Sequence, residues 1–250
     1  DFLCRSGLTA GGIAAVSGTT LATLAAHTAW ANGEHGHSHG RRGKERRSHY
    51  GALAPVADQN GAYVLALPRD FRYVTFSKIG YTMSDGFRVP RNHDGMQVFD
   101  GPGRTLRLIR NHELRNTAGD FALGVDIPAE LRYDREGMGG CTIVDFDPEH
   151  KRVVREFGAI GGTFVTCAGG LSFRSAGWIT CEETTAGLAQ GFEKPPGYNF
   201  LGPASARSAV PAVPLQAMGR FSREAPVADE RGIVFQSADC GHTTGLSRFR

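Results

Sequence analysis

GTFVTCAGG (residues 162–170) and GRFSREAPV (residues 219–227) share one outline. Each begins with glycine, has phenylalanine two places on, and keeps small or polar residues between. The sixth place holds Cys167 in one and Glu224 in the other. A thiol and a carboxylate in the same seat suggest a repeated unit whose seats share a task, so the search widens to the strands that follow. Three apolar runs end in acids: LRLIRNHE at Glu113, GWITCEE at Glu182 and Glu183, and GIVFQSAD at Asp239. A potential ligand precedes each, in what reads as a loop. Asp94 lies 19 residues before Glu113, Cys167 lies 16 before Glu183, and Glu224 lies 15 before Asp239. One loop ligand and one strand-end acid per unit is the arrangement of a β-propeller, whose inner strands point side chains at a shared axis. Acids gathered there repel one another unless cations sit between them. Carboxylates alone suit calcium, and a thiolate among them adds a preference for a softer transition metal.

Composition agrees with an all-β chain. Of 250 residues, 34 are glycine and 12 proline, a turn-rich balance, while 40% hydrophobic residues supply a sizeable core. Further short strands are expected at AYVLAL (62–67), FRYVTFS (71–77), CTIVDFD (141–147) and RVVREFG (152–158), separated by turn signals such as Asp100-Gly101-Pro102-Gly103. DIPAELRYD (126–134) reads as a turn or two of helix, and residues 184–217 as a long insert or loop. Cys141, Cys181 and Cys240 stand in apolar strand contexts and read as packed thiols. The net charge of +3 is mild and much of it sits in RRGKERR (41–47), so nothing argues for a nucleic-acid partner. No P-loop and no His-Glu-x-x-His helix is present.

The N-terminal region has the marks of an export signal. Residues 8–31 are weakly apolar and carry no Asp, Glu, Lys or Arg, and Ala29-Trp30-Ala31 fits a small-x-small cleavage site. Asp1-Phe2-Leu3 looks like the tail of a twin-arginine signal whose arginines precede the first residue given. Residues 1–31 are therefore read as a signal with a clipped start, too glycine-rich for a lasting membrane anchor. Residues 32–49, with His35, His37 and His39, read as a flexible polar segment, and the folded domain as 50–250.

YTMSDGFRVPRNHDGMQVF, RLIRNHEL, TCAGG, GWITCEET, MGRFSREA and GIVFQSAD, in that order, closely resemble the PhoX-type alkaline phosphatases. The resemblance implies a six-bladed propeller, exported by the twin-arginine machinery to the periplasm or beyond. It implies hydrolysis of phosphate esters with Fe(3+) and Ca(2+) at the axis, in a protein expected to be a monomer. By similarity, Cys167 would bind iron and Glu224 would bind metal beside the iron–calcium cluster. Glu182 or Glu183 would bind calcium, and Glu113, Asp94 and Asp239 would face the axis. His112 is expected to support a ligand by hydrogen bonding. Arg220, and less so Arg110, are the candidates to hold substrate oxygens. Relatives have histidine where Arg223 stands, which suggests an added cation near the substrate. The family's Arg-Pro-Glu motif does not occur, and three units do not close six blades, so the resemblance implies the N-terminal part of a longer enzyme, inactive as a fragment. Two other classes fit the residues: a calcium-dependent propeller lactonase or esterase, and a propeller that binds a partner without catalysis.

Overall fold

The computed structural model describes residues 50–188, 191–240 and 243–250. The expected signal (1–31) and the histidine-bearing segment (32–49) lie outside the described residues. Two units divide the chain, the first ending at Thr75 and the second beginning at Phe76.

In the first unit, β1 (Leu53–Ala57) and β2 (Tyr63–Pro68) form an antiparallel hairpin. Asp58 sets the turn, its Oδ1 accepting the N–H groups of Asn60 and Ala62. FRYVTFS, expected as a strand, is not one. It bonds the hairpin through side chains instead: the Tyr73 hydroxyl shares its proton between Val56 O and Ala62 O and accepts from Val64 N–H, while Thr75 N–H donates to Gln59 Oε1. Bonded to the hairpin in this way, the segment joins no ladder.

The second unit consists of three antiparallel sheets, each a meander in sequence order. The first contains β3 (His93–Asp100), β4 (Leu106–His112), β5 (Gly139–Asp147) and β6 (Arg152–Thr163). The second contains β7 (Thr166–Leu171), β8 (Gly177–Glu182) and β9 (Asn199–Pro203). The third contains β10 (Arg223–Ala228), β11 (Val234–Cys240) and β12 (Thr243–Phe249). With the hairpin this makes an all-β protein of four antiparallel sheets. The one described α-helix, α1, runs only from Ala118 to Ala122, and the expected helical turn near 126–134 is a 3-10 turn at Ala129–Leu131. Strand β9 falls inside the stretch expected to be a loop. Among the described residues no helix is long and apolar enough to cross a membrane.

Alternation along β8 explains how the sheets stack. Neighbouring strand residues face opposite ways. Trp178 packs into a core with Ile109, Ile143 and Phe157 of the first sheet, whereas Ile179 packs with Val234 of the third. Every residue of β8 is buried, as expected of a strand covered on both faces. β7 also packs against β3 on one side and β10 on the other. That approach needs glycine at 95, where a Cβ would lie 2.9 Å from the Ala168 Cα.

The two opening stretches are equivalent in space. Thr166 pairs with Glu182 and Arg223 with Ala238, and in both sheets the register then slips by one residue. The first sheet does the same after His93 pairs with His112. Each slip is a β-bulge, with two residues of the first strand facing one of the second. Asp94-Gly95 face Asn111, Cys167-Ala168 face Cys181, and Glu224-Ala225 face Ser237. The three expected loop ligands thus sit on strands, each at the first position of a bulge.

Candidate metal centre

A bulge re-aims the side chain it carries, and three of them here turn their first residue to one end of the sheets. The strand-end acids arrive by matching register. Glu113, Glu183 and Asp239 each follow the residue paired just ahead of the bulge. Their backbone N–H groups make the same bond in each sheet, to Asn92 O at 3.0 Å, Val165 O at 2.8 Å and Ser222 O at 3.2 Å. Asn92 and Val165 both take a φ of 51°. That is unusual for a β-branched valine and places backbone strain two residues before Cys167.

Cys167, Glu183 and Glu224 each offer a ligand atom within 4.8 Å of the others, and Cys167 Sγ is 3.5 Å from Glu224 Oε2. Glu183 also interacts with Asp239, and Asp94 with Glu113, while the Glu224 charge acts on Asp94. The six groups form one continuous acidic cluster. Burial pushes the Glu183 carboxyl up to about 7, helped by Asp239 and Glu224. Burial also raises the Cys167 thiol, with Glu183 and Glu224 adding to the effect. Asp94 and Glu113 are raised first by burial and then by neighbouring acids. Each shift marks a group that a cation would favour in its ionised form. A thiolate with carboxylates suits a transition metal, and the flanking oxygen donors suit calcium. The donor set therefore fits the ions that the resemblance implies.

Other expected residues lie elsewhere. Glu182 points away from Glu183, as neighbours in a strand do. It is fully buried, and its carboxylate accepts the N–H groups of Phe164 (2.8 Å), Gly197 (2.6 Å) and Tyr198 (3.1 Å). Arg220 donates to Pro196 O and Thr185 O. Arg110 is buried against Glu156, 3.3 Å away. Arg223 is buried, stacked on Phe221 with 3.8 Å from guanidinium to ring, and bonded to Gln236 and Gly219 O. It is not among the residues that line the cavity at the cluster. The His112 ring bonds Arg91 O and Thr142 Oγ1 and touches none of the acids through these bonds. Cys141 and Cys181 are fully buried free thiols, and the side chain of Cys240 lies outside the described set.

Two residues missed in the sequence matter here. Asn111 faces the first bulge and is fully buried. Its Nδ2 donates to Cys167 O (3.0 Å) and Ala168 O (2.9 Å), while its Oδ1 accepts from Trp178 Nε1 (2.9 Å) and Cys141 Sγ (3.0 Å). All four amide positions are used, and two of them hold the backbone that carries Cys167. Arg115 lies beside the cluster, paired to Glu113 and 4.0 Å from Glu183. The signal for Arg115 was present in the sequence, since residues two apart in extended chain share a face. Asn111 gave no comparable signal, because its partners are 30 to 67 residues distant.

Residues 48–155 match the model of a known family, Alkaline phosphatase PhoX. The resemblance read from the motifs is therefore found independently over that segment, which holds Asp94, Glu113 and Arg115. The match supports a phosphatase. It stops short of Cys167, Glu183 and Glu224, which rest on the geometry above. No curated protein and no solved structure matches the chain.

Proposed function

We propose that this protein is an exported, metal-dependent phosphatase that hydrolyses phosphate esters at a site holding iron and calcium. The observation that carries the proposal is the threefold convergence. Three sheets deliver Asp94 with Glu113, Cys167 with Glu183, and Glu224 with Asp239, each pair from the same bulge register. Serial stacking of meandering sheets with first strands adjacent supports a β-propeller, six-bladed by family resemblance, with this cluster at its axis. The weakly apolar N-terminal stretch and its small-x-small site support export by the twin-arginine route.

Cys167, Glu183 and Glu224 would hold iron, and Asp94, Glu113 and Asp239 would complete calcium sites. Bound there, the ions would supply positive charge for the phosphoryl oxygens and an activated oxygen nucleophile. The chain's own part begins with protons. Burial raises both the Cys167 thiol and the Glu183 carboxyl, and Glu183 raises the thiol further, so protons must leave before both can become ligands. Asn111 holds the carbonyls of Cys167 and Ala168, which limits the positions the Cys167 sulfur can take.

Elemental analysis of the protein expressed from its complete gene and purified without chelator tests the proposal. Iron and calcium together are expected, with iron lost in Cys167→Ser and phosphatase turnover lost with it. Calcium alone, or turnover that survives Cys167→Ser, would remove the iron assignment and favour a calcium-dependent esterase. Absence of both metals would leave a binding protein.

A further inference from the structure

We infer that Arg115 binds the non-bridging oxygens of the phosphoryl group and so selects phosphate esters over uncharged esters. The inference rests on the phosphatase reading and adds the residue that recognises the substrate's charge. A cavity of about 510 Å³ opens beside the cluster, lined by Glu183 and Asp239, by Thr184, Thr185 and Ser222, and by Arg115. Arg115 is the one cationic residue among the described residues that line it. Its side chain is 60% exposed, so the guanidinium meets whatever enters.

The chemistry points the same way. A phosphate group brought next to several carboxylates is repelled by them, and a fixed cation at the rim offsets that repulsion. A guanidinium also presents its donors in a planar fork that matches two oxygens of a phosphate. Among the described residues only Nη2 of Arg115 is engaged, by Glu113 and at longer range by Glu183. The other arginines near the site are committed: Arg220 to two carbonyls and Arg223 to Gln236, Gly219 and the Phe221 ring.

The backbone under Arg115 is pegged. Asp120, 2% exposed, accepts the N–H groups of Arg115 (3.0 Å) and Thr117 (2.9 Å) on one oxygen and lies 3.6 Å from Arg91 Nε. A long side chain rising from a fixed base searches a small volume over the cavity. That lowers the entropy lost when it closes on a ligand. Lactones and carboxylic esters carry no such charge and gain nothing from the fork.

The test uses the protein from its complete gene with Arg115→Ala and Arg115→Lys. Binding of inorganic phosphate is followed by calorimetry, metal content by elemental analysis, and kcat and KM with p-nitrophenyl phosphate. Arg115→Ala is expected to weaken phosphate binding by about tenfold or more and to raise KM, with metal content unchanged. Arg115→Lys, which keeps charge but not the fork, is expected to fall between. Phosphate affinity within about twofold of wild type at full metal content would overturn the inference and reduce Arg115 to a counter-ion of Glu113. Loss of metal along with phosphate would overturn it too, in favour of a structural role. A wild-type protein that neither binds phosphate nor hydrolyses its esters would overturn the phosphatase reading itself, an outcome separable from any variant.

Discussion

Replacing Glu182 with glutamine separates a structural acid from a ligand one residue away. The Glu182 carboxylate is fully buried and accepts three backbone N–H groups, from Phe164, Gly197 and Tyr198. Glutamine keeps one acceptor oxygen and turns an NH2 group toward donors, so one or two of these bonds are lost. A buried hydrogen bond contributes about 0.5–1.5 kcal/mol, and an orphaned buried N–H costs about 1–3 kcal/mol. The expected loss is therefore about 2–4 kcal/mol, a large share of the roughly 5–15 kcal/mol that holds a domain folded. Burial pushes the Glu182 carboxyl up to about 7 against the pull of its donors. Because the folded carboxyl titrates at about 7 against an ordinary 4.5, its contribution is present below 4.5 and is lost as pH rises through 7, so urea denaturation in chelator at about pH 4.5 reads the loss. Metal per chain is measured in parallel on untreated protein, with Glu183→Gln as the comparison. Glu182→Gln should lose stability while the folded fraction keeps its metal, and Glu183→Gln should do the reverse. A Glu182→Gln protein within about 0.5 kcal/mol of wild type that has lost metal would refute the reasoning.

Glu183 makes the metal-free protein sensitive to pH in a definite direction. Its folded-state carboxyl titrates at about 7 against an ordinary 4.5, so its contribution is present below 4.5 and disappears as pH rises through 7. Thermal melts in chelator should therefore show wild type losing stability relative to Glu183→Gln between about pH 4.5 and 7, and a difference that stays flat or grows the other way would count against the placement of Glu183. Asn111→Ala leaves four partners without the amide, and about 3 kcal/mol or more of stability should go with it. Equilibrium denaturation checks this, and a loss under about 1 kcal/mol would mean that the amide does not join the two sheets as described.

Much of the centre was legible because its signals are local. Glycine, phenylalanine and a sixth-place ligand recur in 162–170 and 219–227, and Gly162 and Gly219 both take positive φ, 81° and 84°. Acid-tipped apolar runs mark where strands end, and their regular spacing exposes the repeat. Signals that depend on pairing were not legible. FRYVTFS has the alternation of a strand, yet Tyr73 and Thr75 spend their bonds on the neighbouring hairpin. β9 lies in a glycine- and proline-rich stretch and becomes a strand because Asn199–Pro203 pairs with β8. Arg220 stands in a family motif, but the carbonyls of Pro196 and Thr185 claim it.

The sequence by itself determined an all-β chain, the residue types of a mixed thiol–carboxylate centre, and the equivalence of the Cys167 and Glu224 seats. Tertiary structure decided the rest. Which of two adjacent acids faces the cluster depends on strand register, and a single-residue slip reverses every side chain. The bulges that aim Asp94, Cys167 and Glu224, the four partners of Asn111, and the place of Arg115 over the cavity all depend on which strands lie side by side. That is settled by contacts between residues far apart in the chain, which no short window of sequence contains.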